Sequence, residues 1–189
     1  FGDKLVTPDN SRINYSRFNF IKHNTYAGFH ELSYLHPNNY KPDNSIFDKY
    51  NLPHNRKYVV IRQVGWTAAH DISKSGLSNK NLNDLINIIE SKGFSVYISS
   101  EKELPDSLRK YKLDIEPTAI HHILFHSSLL ISDSQTMSTE AAILGTPVIR
   151  SNSFVGGKDL SNFTELQKRY KLIFNLRRFK NVTKATKFI

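Results

Sequence analysis

The chain has 189 residues, of which 39% are hydrophobic and 12% aromatic, enough for a folded core and too many for a disordered chain. Its 26 Lys and Arg outnumber its 17 Asp and Glu, and the resulting charge of +9 favours anionic partners. The absence of cysteine excludes disulfides and thiol chemistry, and no apolar run approaches the ~18 residues of a membrane span.

The beginning of the chain lacks clean hydrophobic periodicity. Residues 1–56 carry three turn signals rich in Pro and Asn, so we expect an irregular extension or interdomain segment. Within it, 30–35 is compatible with a short helical turn. Because Met137 is the only methionine and residue 1 is Phe, we expect the chain to be a piece of a longer protein.

From residue 57 onward, strand and helix patterns alternate. The patterns predict strands at 58–61, 94–98, 113–115, 129–131, 147–149 and 172–174, and helices at 82–89, 105–111, 117–125, 137–144 and 160–170, with a last helical turn in the basic tail. This order predicts an α/β Rossmann-like domain over 57–189, with a mainly parallel sheet and helices on both faces. Ligands of such sheets bind at the carboxyl ends of the strands.

The most informative stretch is 131–147, where a buried strand runs into a loop of hydroxyl residues that opens a helix. The unpaired N–H groups of a helix start suit a phosphate or diphosphate, and hydroxyls at Ser134, Thr136, Ser138 and Thr139 add donors. Glu140, one turn on, can accept hydrogen bonds from the hydroxyls of a ribose. The alternative is an ordinary N-cap at Thr136, but a capping box would then place the acid at 139 rather than 140.

Further candidates lie in the loops after other strands. The loop after the first strand of this domain holds His70, which can protonate a leaving group or bind a phosphate, next to Asp71. The alternative is a surface loop with Trp66 tucked into the core. Arg62, Arg150 and Lys158 are candidate phosphate partners; the stretch around Lys158 lacks the Gly and the Ser or Thr of a P-loop.

Two other sequence patterns concern catalytic or metal-binding motifs, and neither indicates such a site. His122 and His126 have the i, i+4 spacing of metal ligands, but Ile123, Leu124 and Phe125 between them replace the Glu of a zinc protease, so we favour a structural face and expect no metal. No G-x-S-x-G motif of a serine hydrolase is present.

Four blocks of the sequence, at 28–37, 69–71, 120–124 and 133–150, resemble the carboxyl-terminal half of the "domain of unknown function 354" family. That family is similar to the GT-B superfamily, whose members include non-hydrolysing UDP-N-acetylglucosamine 2-epimerases and nucleotide-sugar glycosyltransferases. In those enzymes a serine-containing loop of the carboxyl-terminal domain grips the diphosphate and a downstream Glu holds the ribose. The resemblance therefore implies those roles for Ser134 with its hydroxyl neighbours and for Glu140.

The expected site follows from both arguments. Its substrate-binding residues are Asp133, Ser134, Gln135, Thr136, Ser138, Thr139, Glu140, Arg150, Lys158 and Arg62, and its catalytic residues are His70 and Asp71. The epimerases carry His-Arg-x-x-Asn after the first strand of this domain, whereas Asp71 follows His70 here, which favours glycosyl transfer or an unknown reaction on a nucleotide sugar over epimerase chemistry.

We therefore expect a UDP-sugar-binding domain of a GT-B-like enzyme of surface polysaccharide synthesis, with no cofactor and a missing amino-terminal Rossmann-like domain as its partner. One alternative is an epimerase-like enzyme, and another is a basic nucleic-acid-binding or non-catalytic interaction module. The sequence contains no motif that supports nucleic-acid binding. We expect a cytoplasmic protein that is inactive as this piece alone, and we leave open self-association and contact with a membrane surface.

Overall fold

The computed structural model describes residues 4–9, 22–55, 57–65, 77–156, 159–177 and 179–186. Within them the strands are β1 (Lys4–Pro8), β2 (Lys22–Tyr26), β3 (Tyr58–Gln63), β4 (Ser95–Ser100), β5 (Leu129–Ser132), β6 (Val148–Arg150) and β7 (Ile173–Asn175). The helices are α1 (Leu32–Leu35), α2 (Ile46–Lys49), α3 (Asn79–Glu90), α4 (Ile120–His126), α5 (Thr136–Ile143), α6 (Ser161–Lys168) and α7 (Phe179–Ala185), with 3-10 helices at Asp106–Tyr111 and Pro117–Ala119.

A five-stranded parallel sheet in the order β4-β3-β5-β6-β7 forms the centre of the molecule. The predicted α/β Rossmann-like fold is thus confirmed. The chain passes from β3 to β4 at one edge and then crosses to β5 on the other side of β3, so the strand order reverses between β3 and β5. In sheets of this kind, the crevice at the carboxyl ends of the two strands flanking the reversal is where ligands bind.

The sheet is buried on both faces, which explains its continuous apolar strands. Tyr58 and Val60 of β3 belong to one core cluster with α4 and α5, whereas Val59 and Ile61 belong to a second cluster with α3. All four side chains are fully buried. Among the described residues, no helix is both long and apolar enough to cross a membrane.

Helix α3 shows why a local pattern predicts its element well. Its buried residues follow the predicted helical spacing and are Leu82, Leu85, Ile86 and Ile89. At its start the Ser78 Oγ accepts a hydrogen bond from the Asn81 N–H at 3.3 Å, which is an N-cap. After its end Gly93 adopts a φ of +79°, a conformation that glycine takes without steric cost.

Two predictions about elements differ from the structure. The predicted strand at 113–115 does not form, and an isolated bridge between Ile98 and Lys112 lies just before this segment. The segment expected to be irregular holds β1 and β2, which pair in parallel, and α2, none of which was predicted, whereas α1 lies within the helical turn that the sequence suggested at 30–35. Its Phe29, Phe47 and Leu52 are buried in the core cluster that contains α4. The division of the chain at residue 56 stays a prediction.

Candidate functional site

Asp133 links the strand exits at the carboxyl edge of the sheet. Its Oδ1 accepts from the Val64 N–H at 2.8 Å and its Oδ2 from the Leu77 N–H at 3.1 Å, while its carbonyl accepts from the Asn152 amide at 2.8 Å. The side chain is fully buried. Asp133 was predicted as a ligand residue, but each of its carboxylate oxygens already accepts a backbone N–H, so it holds the loops beside the β3–β5 crevice in place.

Ser134 caps the helix that follows β5. Its N–H donates to the Ser132 Oγ at 2.9 Å, and its own Oγ accepts from the Met137 N–H at 3.3 Å. The side chain that caps the helix start is therefore Ser134, one residue before the N-cap position of Gln135, and not Thr136, the alternative that the sequence suggested. The first N–H groups of a helix have no intrahelical acceptor, and here they belong to Gln135, which is half-buried, and Thr136, which is exposed.

The two remaining hydroxyls of the predicted set turn inward. The Ser138 Oγ donates to the carbonyl of Ser134, and the Thr139 Oγ1 donates to the carbonyl of Gln135 at 3.3 Å. Both residues are buried, with relative exposures of 0% and 1%. Such bonds to the preceding turn are a common use of Ser and Thr within helices. At this helix start the hydroxyls of Ser134 and Thr136 are therefore the accessible ones.

Glu140 lies one turn into α5 and faces two other helices. Its Oε1 accepts the Tyr34 hydroxyl of α1 at 2.9 Å, and the His121 Nε2 of α4 lies 3.2 Å from the same oxygen. Burial alone would raise the pKa of Glu140, but the hydrogen bonds from His121 and Tyr34 outweigh it and hold that pKa below its ordinary value. Burial and the hydrogen bond to Glu140 raise the pKa of the Tyr34 hydroxyl. Glu140 is therefore ionised at neutral pH.

A second set of contacts anchors the segment that carries Tyr34. The His122 Nδ1 accepts from the Asp43 N–H at 3.0 Å, and the Tyr40 hydroxyl lies 3.0 Å from the same nitrogen. The Tyr40 ring stacks on His122 at 5.2 Å and meets His121 edge-on at 6.4 Å. Burial, with the Asp43 charge, raises the pKa of Tyr40 to about 12. Across the described residues, no three His, Asp or Glu side chains group as a metal site.

Arg150 has its charge neutralised inside the protein. Its guanidinium binds Asp159 with two hydrogen bonds of 2.7 and 2.9 Å, donates to the Asn175 Oδ1 at 2.8 Å and lies 3.6 Å above the Phe163 ring. The side chain is fully buried. A phosphate would have to displace the Asp159 carboxylate to reach this guanidinium.

Arg62 is also paired, but nearer to solvent. It donates to the Ser99 Oγ at 2.9 Å and binds the Glu101 carboxylate, whose Oε2 accepts from the Gly65 N–H at 2.8 Å. The Arg62 side chain is 17% exposed. The other predicted residues of the site, His70, Asp71 and Lys158, lie outside the described residues.

Tyr34 and His121 were not among the predicted site residues. Both fall in blocks that resemble the family named above, at 28–37 and 120–124, and that resemblance was the available signal. The structure brings them together at Glu140, the residue predicted to hold a ribose.

Comparison with known proteins concerns the fold. No protein-family model and no curated protein matches this chain. Among solved structures, UDP-GlcNAc 2-epimerase from Neisseria meningitidis bound to UDP-GlcNAc is similar, with a TM-score of 0.50 and 17% identity over 76% of this chain and 38% of that one. A variant of the wall teichoic acid polymerase TagF soaked with CDPG is also similar, with a TM-score of 0.50 and 14% identity over 98% of this chain and 47% of that one.

These neighbours have GT-B-like folds, so the similarity supports the fold predicted from the sequence. The identities are low, and the similarity extends to the fold alone. This chain spans less than half the length of either neighbour. The more specific resemblance to the family of unknown function stays a prediction. The described chain therefore has a Rossmann-like α/β fold similar to that of these neighbours.

Proposed function

We propose that this chain is the nucleotide-sugar-binding domain of a GT-B-type glycosyltransferase or a related sugar-nucleotide enzyme, and that its ligand is UDP-linked. The observation that carries the proposal is the placement of two complementary groups on one helix. The start of α5 offers N–H donors beside the β3–β5 crevice, and the ionised carboxylate of Glu140 lies one turn further along. A nucleoside diphosphate needs donors for its phosphates and an acceptor for its ribose.

The diphosphate is assigned to the first turn of α5. The free N–H groups of Gln135 and Thr136 point out of the helix start, and the partial positive charge of a helix N-terminus favours anions there. The Thr136 hydroxyl is exposed and adds a donor. Asp133 supports this turn because its carboxylate fixes the neighbouring loops.

Fewer cationic side chains are assigned to the binding site than the sequence alone suggested. Arg150 is paired with Asp159 and fully buried, so we leave it out of the binding set. Arg62 stays a candidate because it is partly exposed at the end of β3, although Glu101 must then share it. Lys158, His70 and Asp71 stay proposals from the sequence.

The whole enzyme needs more than this domain. The neighbours are about twice as long as this chain, which supports the proposal that a second Rossmann-like domain completes the cleft. We propose that the chain by itself binds the nucleotide but does not turn over a nucleotide sugar. The setting in surface polysaccharide synthesis rests on the sequence resemblance.

The test is a titration of the labelled chain with UDP, followed by NMR. We expect shifts of the amide signals of residues 134–140 and a Kd on the order of 0.1–1 mM, because half of a binding cleft supplies only about 4–5.5 kcal/mol. Glu140→Gln should weaken binding, whereas the matched change Glu90→Gln, at the exposed end of α3, should not. If the amide signals of residues 134–140 do not shift at millimolar UDP, the proposal is wrong.

A further inference from the structure

The two oxygens of the Glu140 carboxylate are used unequally. Oε1 lies 2.9 Å from the Tyr34 hydroxyl and 3.2 Å from the His121 Nε2, whereas Oε2 has no hydrogen-bond donor among the described residues. A carboxylate oxygen offers two lone-pair positions. Oε1 is therefore saturated by protein donors, and Oε2 keeps both of its positions for a ligand.

The two donors come from different elements and fix the carboxylate from two sides. Tyr34 lies on α1 and His121 on α4, and their rings are 5.9 Å apart. We call this pair the Tyr34–His121 clamp. The Glu140 side chain between them is 13% exposed, so the clamp reaches the carboxylate while leaving part of it open. A long acidic side chain that is held in this way does not have to be ordered when a ligand arrives.

We propose that Tyr34 and His121 are positioning residues, which hold Glu140 so that Oε2 receives the vicinal 2′- and 3′-hydroxyls of a ribose and the site selects ribonucleotides over 2′-deoxyribonucleotides. The proposal rests on the proposed function, because it assumes that Glu140 faces the ribose. Through Tyr34, it adds a source of specificity from the segment before residue 57, outside the predicted binding domain that contains His121.

The selectivity follows from how a fixed acceptor responds to a missing hydroxyl. A hydrogen bond to a charged group contributes enough to change affinity about 10-fold or more, and a held Oε2 cannot turn to find another donor when the 2′-hydroxyl is absent. A Glu140 released from its clamp can rotate towards water. Ribose and deoxyribose then become more alike as ligands, because water replaces the missing hydroxyl.

The experiment compares the affinities of UDP and 2′-deoxy-UDP for the whole chain and uses their ratio as the readout. We expect a ratio of about 10 for the wild-type chain. Tyr34→Phe and His121→Leu should each lower the ratio to about 3 or less, and Glu140→Gln should bring it close to 1. His121→Gln, whose amide restores a donor near the position of Nε2, should recover most of the ratio.

Tyr97→Phe is the matched control. It also removes one hydroxyl from a partly buried tyrosine, but that hydroxyl donates to the Asn51 carbonyl and contacts neither Glu140 nor the Tyr34–His121 clamp. Its ratio should equal that of the wild type. Amide spectra of each variant establish that it is folded before its ratio is used.

The outcomes separate this inference from the proposed function. If the wild type binds UDP but Tyr34→Phe and His121→Leu leave the ratio unchanged, the clamp has no role in selection and only the inference is overturned. An equal loss of affinity for both nucleotides also overturns it, since a purely structural role would act in that way. A wild-type chain that binds neither nucleotide overturns the proposed function and the inference with it.

Discussion

Arg150 and Asp159 form a bidentate ion pair at the end of β6, in which the guanidinium is fully buried and the Asp159 side chain is only 15% exposed. The pair connects the last residue of β6 to Asp159, which lies two residues before the start of α6. A phosphate at this strand exit, the role that the sequence suggested for Arg150, would have to compete with Asp159 for the guanidinium.

Replacing Asp159 with Ala should destabilise the chain strongly. The change leaves a buried guanidinium without its counter-charge, and breaking such a pair costs about 3–5 kcal/mol. The free energy of unfolding in urea measures it. The control is Asp106→Ala, which removes the exposed pair between Asp106 and Arg109 and should cost at most about 1 kcal/mol. Equal effects of the two changes would contradict the importance of burial here.

Asp133→Asn should destabilise the loops at the carboxyl edge of the sheet. The amide that replaces the carboxylate keeps one acceptor oxygen, so either the Val64 or the Leu77 N–H loses its partner, at a cost of about 1–3 kcal/mol. Hydrogen exchange should accelerate at these two amides. Asp114→Asn, at a carboxylate with a 93% exposed side chain, is the matched control and should change neither stability nor exchange.

Ser134 and Thr136 should differ when each is replaced by Ala. Ser134→Ala removes the cap of α5 and should lower the free energy of unfolding by about 1 kcal/mol. Thr136 is exposed, so Thr136→Ala should change stability by less than about 0.5 kcal/mol and weaken UDP binding only. A larger stability loss at Thr136 than at Ser134 would show that the cap has been assigned to the wrong residue.

The ionised state of Glu140 should make stability depend on pH. Its pKa in the folded chain is below the ordinary 4.5, so its ionisation stabilises the fold above that value and the stabilisation is lost as pH falls through the lowered pKa. The difference in unfolding free energy between wild type and Glu140→Gln should therefore be largest near neutral pH and shrink in acid. Urea unfolding at a series of pH values measures it.

Glu31 also affects the pH dependence of stability in the acid range, but with the opposite sign. Burial and the Glu140 charge raise the pKa of Glu31, so protonation of Glu31 in acid favours the folded state. The Glu31→Gln variant lacks this contribution. When Glu140→Gln is added to that variant, the change in unfolding free energy should still shrink in acid. A change that is constant with pH in that variant would contradict the assignment to Glu140.

The central sheet could be predicted from the sequence because strands buried on both faces have continuous apolar runs. Strands β1 and β2 could not, because β2, with the sequence Lys-His-Asn-Thr-Tyr, has no buried residue and shows no apolar pattern. The predicted strand at 113–115 fails for the opposite reason. Leu113 is buried and its N–H donates to the Ile98 carbonyl of β4 at 2.8 Å, but the pairing ends at this one bridge and no strand forms.

The candidate site also contains residues that could be predicted from the sequence and residues that could not. Ser134 and Glu140 follow each other closely in the chain, so the helix start and the carboxylate could be predicted from local sequence. Tyr34 lies 106 positions from Glu140, and nothing in the local pattern of either residue indicates the other. An acid or a cation at a strand exit has the same sequence pattern whether it binds a ligand or another part of the protein, so the protein partners of Asp133 and Arg150 could not be predicted.

The burial of Phe29, Phe47 and Leu52 beside α4 determines how this protein can be shortened. A version beginning at residue 57, the predicted start of the binding domain, would lose three apolar side chains from the interior and uncover the surface that they shield. Such a version should aggregate during purification. Engineering of this protein should therefore keep Phe29, Phe47 and Leu52 together with α4.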